Sequence, residues 1–168
     1  MALRIGNTIV DGPSEEVLVL PRLHGEVIIR TRAVTDMKPF DAMCPEPSAP
    51  KKLVKGGFEI DYENTGYLEA IAKHGELRFA FICVKSLEPS DIEWQRVKMD
   101  SPNTWLEWAK EMEEAGLSSV EVNRILLAVM SANSLDEAKL KAARDSFVRG
   151  MQVKLADPSS PDTERSST

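Results

Sequence analysis

Residues that bind metals or act as nucleophiles are scarce in this chain. Its 168 residues include two cysteines, Cys44 and Cys83, and two histidines, His24 and His74. The cysteines form no CxxC pair, which argues against a disulfide framework and favours a reducing compartment. None of the four lies at a recognised zinc-ligand spacing. We therefore expect Cys83 in the core and both histidines in turns, and no metal site.

Long apolar runs and an excess of positive charge are also missing. No stretch approaches the roughly 20 apolar residues of a membrane-spanning helix, and the N-terminus lacks the order of a signal peptide. We expect a soluble protein that binds no membrane. The net charge is −6, which argues against phosphate-mediated nucleic-acid binding. A helix-turn-helix over residues 118–149 is an alternative, but its charges are better explained as a solvated helix face.

The sequence contains none of the short motifs that carry catalysis. There is no GxSxG elbow and no local Cys–His signature, and Lys55-Gly56-Gly57 is too short for a phosphate-binding loop and indicates a turn. Cys44, between Met43 and Pro45, could be an exposed thiol, although an ordinary loop residue is the simpler interpretation. We predict no enzyme activity and no cofactor.

The first half of the chain predicts strands. Val17–Leu20 is a short apolar run, and residues 26–32 alternate between apolar and polar, so the two form a β-hairpin. Prolines punctuate a long excursion over residues 36–57, which excludes helix interior and central strand there. A short strand is predicted at Phe58–Tyr62.

Further elements are predicted between this excursion and residue 98. Residues 64–74 predict a helix with Asn64 or Thr65 as its cap and Gly75 as its stop. The apolar run Leu77–Val84 predicts the central strand of a small sheet, and Ile92–Val97 alternates as its neighbour.

Capping signals dominate the second half. Ser101-Pro102 opens a helix, and Ser118 with Glu121 and Ser134 with Glu137 each have the spacing of a capping box. Gly116 and Gly150 are placed as C-caps. The three helices carry apolar faces at helical spacing, listed in order as Trp105, Trp108, Ala109 and Met112; Val122, Ile125, Leu126 and Val129; Leu140, Ala143, Phe147 and Met151.

These signals predict an α+β fold: a small antiparallel sheet in the N-terminal half, followed by a C-terminal three-helix unit. The expected parts are a β-rich region over 1–98, which includes the excursion and the helix at 64–74, a helical unit over 99–152, and a disordered tail over 153–168. Tryptophans cluster around the start of the helical unit, and we expect the pair Trp105 and Trp108 to be core more readily than interface. Aromatic and methionine side chains also mark binding surfaces, and the partner-binding candidates are Trp94, Trp105, Trp108, Met112, Leu127 and Met130.

Several sequence blocks resemble the tail assembly chaperones of long-tailed bacteriophages. The resemblance covers most of residues 17–150 and is densest after Glu93. Its blocks are structural in character. They are Glu93-Trp94 with Val97, residues 101–108, residues 115–118 with Glu121, residues 132–135, Ala143-Arg144 with Phe147 and Gly150, and upstream residues 20–22, 34–37, 40–41 and 44–47.

The resemblance implies a non-enzymatic protein made in the cytoplasm of the infected bacterium. Such chaperones bind the long helical tape measure protein, keep it soluble and help tail tube subunits polymerise around it. They are absent from the finished virion, and many exist in a second, frameshifted form. A homo-oligomer is compatible with this expectation. The alternatives are a structural tail completion or connector protein of the virion and, as a third class, a DNA-binding regulator.

Overall fold

The computed structural model describes residues 3–156, the last six of them as backbone only. The fold is α+β, with small antiparallel sheets in the N-terminal half and helices in the C-terminal half, as predicted. The chain divides into two compact units, one up to Leu135 and one from Asp136 onward. The helices between residues 102 and 132, which the sequence assigns to a separate helical unit, thus belong to the first unit together with the β-rich part.

Three separate hairpins replace the single predicted sheet. The strands are β1 Leu3–Ile5, β2 Thr8–Val10, β3 Glu15–Arg22, β4 Gly25–Arg32, β5 Lys51–Val54 and β6 Gly57–Ile60. Each pairs antiparallel with the next along the chain, β1 with β2, β3 with β4 and β5 with β6. The predicted hairpin over residues 17–32 and the turn at Lys55-Gly56 are confirmed. The strand predicted at Phe58–Tyr62 is β6, which begins at Gly57 and ends at Ile60.

One face of the β3–β4 hairpin packs into the core. Leu20 and Ile29 on that face are 4% and 5% exposed, and Leu18 and Val27 pack beside them. The same face carries Thr31, which is fully buried and donates a hydrogen bond from Oγ1 to the carbonyl of Ala128. The two-residue repeat in the sequence therefore corresponds to one buried face and one solvent-exposed face of the hairpin.

The Pro-rich excursion contributes to the core. It contains a short helix, α1 Lys38–Met43, in which Phe40 is completely buried. The Phe40 ring lies 5.6 Å from Phe81 and 6.2 Å from Trp105, measured between ring centroids. The excursion also supplies β5, so prolines here bracket short elements and do not exclude them.

The strand predicted at Leu77–Val84 is wrong, because this segment is the second half of a long helix. Helix α2 spans Thr65–Ser86. Its N-cap is Asn64, whose side chain accepts a hydrogen bond from the N–H of Tyr67, as predicted, but Gly75 does not stop it. Residues 80–84 are buried on all sides, and a continuously apolar run cannot distinguish such a helix from a buried strand.

The strand predicted at Ile92–Val97 is also wrong. After a 3₁₀ turn at Glu88–Ser90 the chain runs without regular structure to Ser101. The N–H groups of Gln95, Arg96 and Val97 bond to a carboxylate and not to another strand. The alternation in the sequence instead reflects burial without a strand, because Ile92 and Trp94 are half-buried against the core and Val97 is buried.

The first predicted C-terminal helix is two short ones. Helix α3 Pro102–Trp105 and helix α4 Trp108–Glu114 are separated at residues 106–107. Ser101 is the N-cap residue, with Pro102 in the first turn, but its side chain makes no capping hydrogen bond. Gly116 adopts φ +106 after α4, as its predicted C-cap role requires.

Helix α5 spans Ser119–Ala132 and begins with the predicted capping box. The Ser118 hydroxyl accepts from the N–H of Glu121, and the Glu121 carboxylate accepts from the N–H of Ser118. Val122, Ile125 and Val129 form its buried face, as their spacing predicts.

The described part of the second unit contains helix α6, Glu137–Ala156. Its N-terminal cap is not Ser134, which has φ +55, but Asp136, whose Oδ1 accepts from the N–H of Lys139. Gly150 lies inside this helix and does not end it. Of the predicted apolar face, Leu140 is 44% and Phe147 68% exposed. The predicted disordered tail begins within α6, and its residues 157–168 lie outside the described residues.

Candidate functional site: an apolar groove

An open groove of about 620 Å³ lies in the first unit. One wall is the inner face of β4, and a second is the irregular segment 92–96. The third is the C-terminal part of α4 together with the turn that follows it, which carries Ala115 and Leu117. Its lining is mostly apolar, with charged groups among the rest. The apolar side chains are Val27, Ile29, Ile92, Trp94, Met112, Ala115 and Leu117.

Glu111 fixes the irregular wall of this groove. Its carboxylate accepts hydrogen bonds from the N–H groups of Gln95, Arg96 and Val97, with N···O distances of 3.1 Å for Arg96 and Val97. The side chain is only 9% exposed. Three donors aimed at one carboxylate hold a loop that has no strand partner in a single conformation.

The pKa of Glu111 reflects this arrangement. Desolvation of the carboxyl acts to raise the pKa, but the three backbone hydrogen bonds and the nearby Arg96 charge outweigh it. The net result is a pKa below the usual range, so Glu111 is ionised at neutral pH. The negative charge of Glu111 in the groove wall is thus stabilised by hydrogen bonds from backbone N–H groups.

The far end of the irregular segment is held by α3. Thr104 Oγ1 accepts from the N–H of Lys98 at 2.9 Å and lies 3.1 Å from the Lys98 carbonyl. The indole Nε1–H of Trp105 donates to that carbonyl at 3.0 Å. Trp105 is therefore a completely buried anchor for the segment that carries Trp94.

Charged side chains form the rim. Arg96 forms ion pairs with Glu107 and Glu114, the former at 3.9 Å between Nη1 and Oε2. Glu93 is exposed beside them. The groove thus has an apolar floor and a charged border, an arrangement typical of protein-binding surfaces.

The six predicted partner-binding residues do not share one surface. Trp94 and Met112 both line the groove, with Met112 only 5% exposed at its floor. Trp105 and Trp108 are 0% and 7% exposed, so this pair is core, as the sequence favours. Leu127 and Met130 lie on α5 and do not line the groove; Leu127 is 51% exposed and Met130 half-buried.

Sequence reasoning missed Glu111 and the groove walls from β4. The signal for Glu111 was present, because it lies three residues after Trp108 and one before Met112, on the apolar face of a helix. A charged residue on such a face needs partners inside the protein. No local pattern, however, identified the backbone of residues 95–97 as those partners.

Neither cysteine is suited to nucleophilic chemistry. Burial raises the pKa of the Cys83 thiol to about 12 and also raises the pKa of Cys44. Cys44 is buried at the end of α1, so the exposed-thiol alternative is wrong. Cys83 lies in the core as predicted, but in a helix and not a strand.

His74 does not lie in a turn, as predicted, but in the middle of α2. Its Nε2 is 3.0 Å from the Cys44 carbonyl oxygen, and its ring centroid is 5.2 Å from that of Phe40. Within residues 3–156 the structure contains no group of three or more His, Cys, Asp or Glu residues placed to hold a metal ion.

Apolar side chains are also exposed away from the groove. In the β5–β6 hairpin, Leu53 faces Phe58 across the strands, and the two are 76% and 72% exposed. Ile60 is on the same face and 49% exposed. The opposite face carries Lys52, which pairs with Glu59 and Asp61 at 3.2 and 3.6 Å. This hairpin is amphipathic, and its apolar face is open.

No protein-family model, no curated protein and no solved structure matches this chain. Any functional conclusion therefore depends on the chain's own residues. None of the described helices combines the length and apolar character needed to span a bilayer.

Proposed function

We propose that this chain is a tail assembly chaperone of a long-tailed bacteriophage. In this role it binds the tape measure protein, keeps it soluble in the host cytoplasm and promotes polymerisation of tail tube subunits around it. The resemblance in sequence suggests the family, and the apolar groove is the observation that supports a binding role.

The groove has the properties that a helical client requires. A long helical protein exposes apolar stripes before assembly, and such stripes aggregate unless covered. An amphipathic helix binds by inserting side chains at i, i+3 or i+4, and i+7 into an apolar groove. Trp94 provides a large anchor at the wall, and Met112 at the floor adapts to different side chains. Several client segments can therefore use the same groove.

The charged rim suits transient binding. Arg96 is engaged by Glu107 and Glu114, so the border remains hydrated while the floor is apolar. A client held mainly by a few apolar anchors can be released when tube subunits compete for it. The chain's net charge of −6 also keeps a complex with an apolar client soluble.

Co-expression with the tape measure protein of the same phage tests the proposal. The soluble fraction of the tape measure protein should rise severalfold when this chain is present. The variant Ala115→Arg places a long charged side chain in the groove at an exposed position and should abolish the rise. The matched control Ala72→Arg alters an exposed alanine on α2 and should behave as the wild type.

Two outcomes would contradict this assignment. One is a soluble fraction that is the same with and without the chain. The other is an Ala115→Arg variant that solubilises the client as well as Ala72→Arg does, since the client would then bind elsewhere.

The open face of the β5–β6 hairpin favours a second candidate, a structural tail completion or connector protein. Apolar residues as exposed as Leu53 and Phe58 are often covered in permanent assemblies. The two candidates differ in the fate of the chain. Mass spectrometry of purified virions should find it at stoichiometric levels if it is structural and not detect it if it is a chaperone.

A further inference from the structure

The two edges of the β3–β4 hairpin differ in whether their main-chain groups are hydrogen-bonded to the rest of the chain. On the β4 side, the N–H of Arg30 donates to Ser90 Oγ at 2.8 Å, and Ser90 Oγ donates to the Arg30 carbonyl at 2.7 Å. The Arg32 carbonyl accepts from Ser86 Oγ at 2.6 Å. Side chains of the 3₁₀ turn and of α2 therefore satisfy the main-chain groups along this edge.

The register identifies the groups on the opposite edge. Val17 pairs with Arg30, whose N–H and C=O both point away from β3. In an antiparallel pair the residue opposite such a position also points outward, and the pattern repeats every second residue. The outward groups of β3 are thus the N–H and C=O of Glu15, Val17 and Val19. We call these six groups the β3 edge.

Within residues 3–156, no backbone or side-chain group is hydrogen-bonded to the β3 edge. Val17 is 62% and Val19 48% exposed. Prolines, which lack an N–H, lie at the next two positions of the alternation, Pro13 and Pro21. The edge is therefore a short window of three donors and three acceptors with defined ends, able to pair with one extended segment.

The side chains around the β3 edge indicate the chemistry of such a segment. On the outer face, Val17 and Val19 lie beside Ile28, which pairs with Val19 and is 46% exposed. A strand added here would align every second side chain with this apolar patch. Those side chains should be apolar.

The inner face is bordered by α5 and by an unpaired cation. Glu121 of α5 pairs with Arg22 at 2.6 Å, and Ser131 donates to Glu16 at 2.7 Å, so this side of α5 follows β3. Arg124 lies at helical spacing between those two contacts and is exposed. Among the described residues it has no ion pair, whereas Glu121 and Glu15 are paired with Arg22 and Arg32. The alternate side chains of an added strand would therefore face a free positive charge.

We propose that the β3 edge binds an extended segment of a partner protein in which apolar residues alternate with acidic ones. The segment adds a third strand beside β3, its apolar side chains against Val17, Val19 and Ile28 and its carboxylates toward Arg124. This surface is distinct from the groove and does not depend on the identity of the groove's client.

Hydrogen exchange of the folded full chain tests this proposal, with the peptide acetyl-Val-Glu-Val-Glu-Val-Glu-Val-amide as the probe. The amides of Val17 and Val19 should exchange fast in the free protein and become protected at least tenfold when the peptide is added at about 1 mM. The amides of Leu18 and Leu20 face β4 and should be protected throughout.

Three variants separate the contribution of the outward N–H of Val17 from that of the Arg124 charge. Val17→Pro removes an outward N–H without touching the ladder with β4 and should abolish peptide binding, while Val17→Thr keeps the N–H and should bind. Arg124→Glu should weaken binding of this peptide at least threefold and favour the peptide with Lys in place of Glu. Continued protection of Leu18 and Leu20 shows that each variant is folded.

Three results would overturn the proposal. Absence of protection at Val17 and Val19 with the peptide present would show that the edge binds no such strand. Equal binding of the Glu and Lys peptides would remove the role of Arg124. Protection that rises with protein concentration alone would assign the edge to a second copy of this chain.

Discussion

Glu111 shows how a single residue determines the shape of the groove. Its carboxylate is the common acceptor for three consecutive N–H groups of a segment that has no other regular structure. Only a carboxylate offers enough acceptor positions for three donors while carrying none of its own. The wall that carries Trp94 therefore depends on this side chain of α4 at residues 95–97, while Thr104 and Trp105 hold the same segment at Lys98.

Replacing Glu111 by Gln should destabilise the protein. Glutamine has one acceptor oxygen, and its NH₂ group would meet backbone donors, which leaves N–H groups buried without partners. We expect the free energy of unfolding to fall by about 1–3 kcal/mol, measured by urea denaturation at pH 7. Glu113→Gln, an exposed change on the same helix, should stay within about 0.5 kcal/mol of wild type. Equal effects of the two changes would contradict the role of Glu111.

The pH dependence of stability follows from the same residue. The pKa of Glu111 is lower in the folded protein than in the unfolded chain, where it is about 4.3. Its stabilisation is therefore fully present above that value and is lost as the pH falls through the folded pKa. Urea titrations between neutral and acid pH should show a smaller acid loss in Glu111→Gln than in wild type. Parallel curves would exclude this linkage.

At the scale of elements, helix α2 is the main departure from the sequence-based expectation. The sequence pattern predicts its end at Gly75, yet the helix continues for eleven residues to Ser86. Tertiary burial of residues 80–84 overrides the local preference of glycine to end a helix. The residue remains a weak point in the helix because glycine loses more backbone freedom on folding.

Gly75→Ala should therefore stabilise the protein. A Cβ at this position meets nothing within 4 Å, and we expect the free energy of unfolding to rise by about 0.5–1 kcal/mol. Gly116→Ala is the matched opposite, because φ +106 strains any residue with a Cβ, and should lower stability. Thermal unfolding followed by circular dichroism measures both, and a change of the same sign in both variants would contradict this explanation.

At the scale of the whole molecule, the core is assembled from segments far apart in the chain. Phe40 from the Pro-rich excursion, Phe81 from α2 and Trp105 from α3 are in ring contact. The amphipathic hairpin β5–β6, in contrast, keeps its apolar face exposed. Phe40 thus belongs to the core, whereas Phe58 of the nearby hairpin belongs to an exposed surface.

Two phenylalanine substitutions should distinguish the core position from the exposed one. Phe40→Ala leaves a cavity in the core and should cost about 3–5 kcal/mol in the free energy of unfolding. Phe58→Ala removes a side chain that is 72% exposed and should change it by less than about 0.5 kcal/mol. Urea denaturation compares them, and a large loss in Phe58→Ala would show that the hairpin face is covered within the chain itself.

By itself, the sequence determined the α+β class, the β3–β4 hairpin, the cap of α2 at Asn64 or Thr65, the capping box at Ser118 and the burial of Trp105 and Trp108. These features depend on residues close together in the chain, such as a hydroxyl three positions before a glutamate or apolar residues at every second position.

Tertiary structure alone decided that Leu77–Val84 is helical, that Phe40 enters the core, and that Glu111 captures residues 95–97 to form a groove with β4. Each of these depends on contacts between residues that are distant in sequence. A short stretch of sequence does not show how strongly such contacts stabilise the fold. Burial on all sides erases the periodicity that would separate helix from strand, and a backbone N–H acceptor can come from any element that folds beside it.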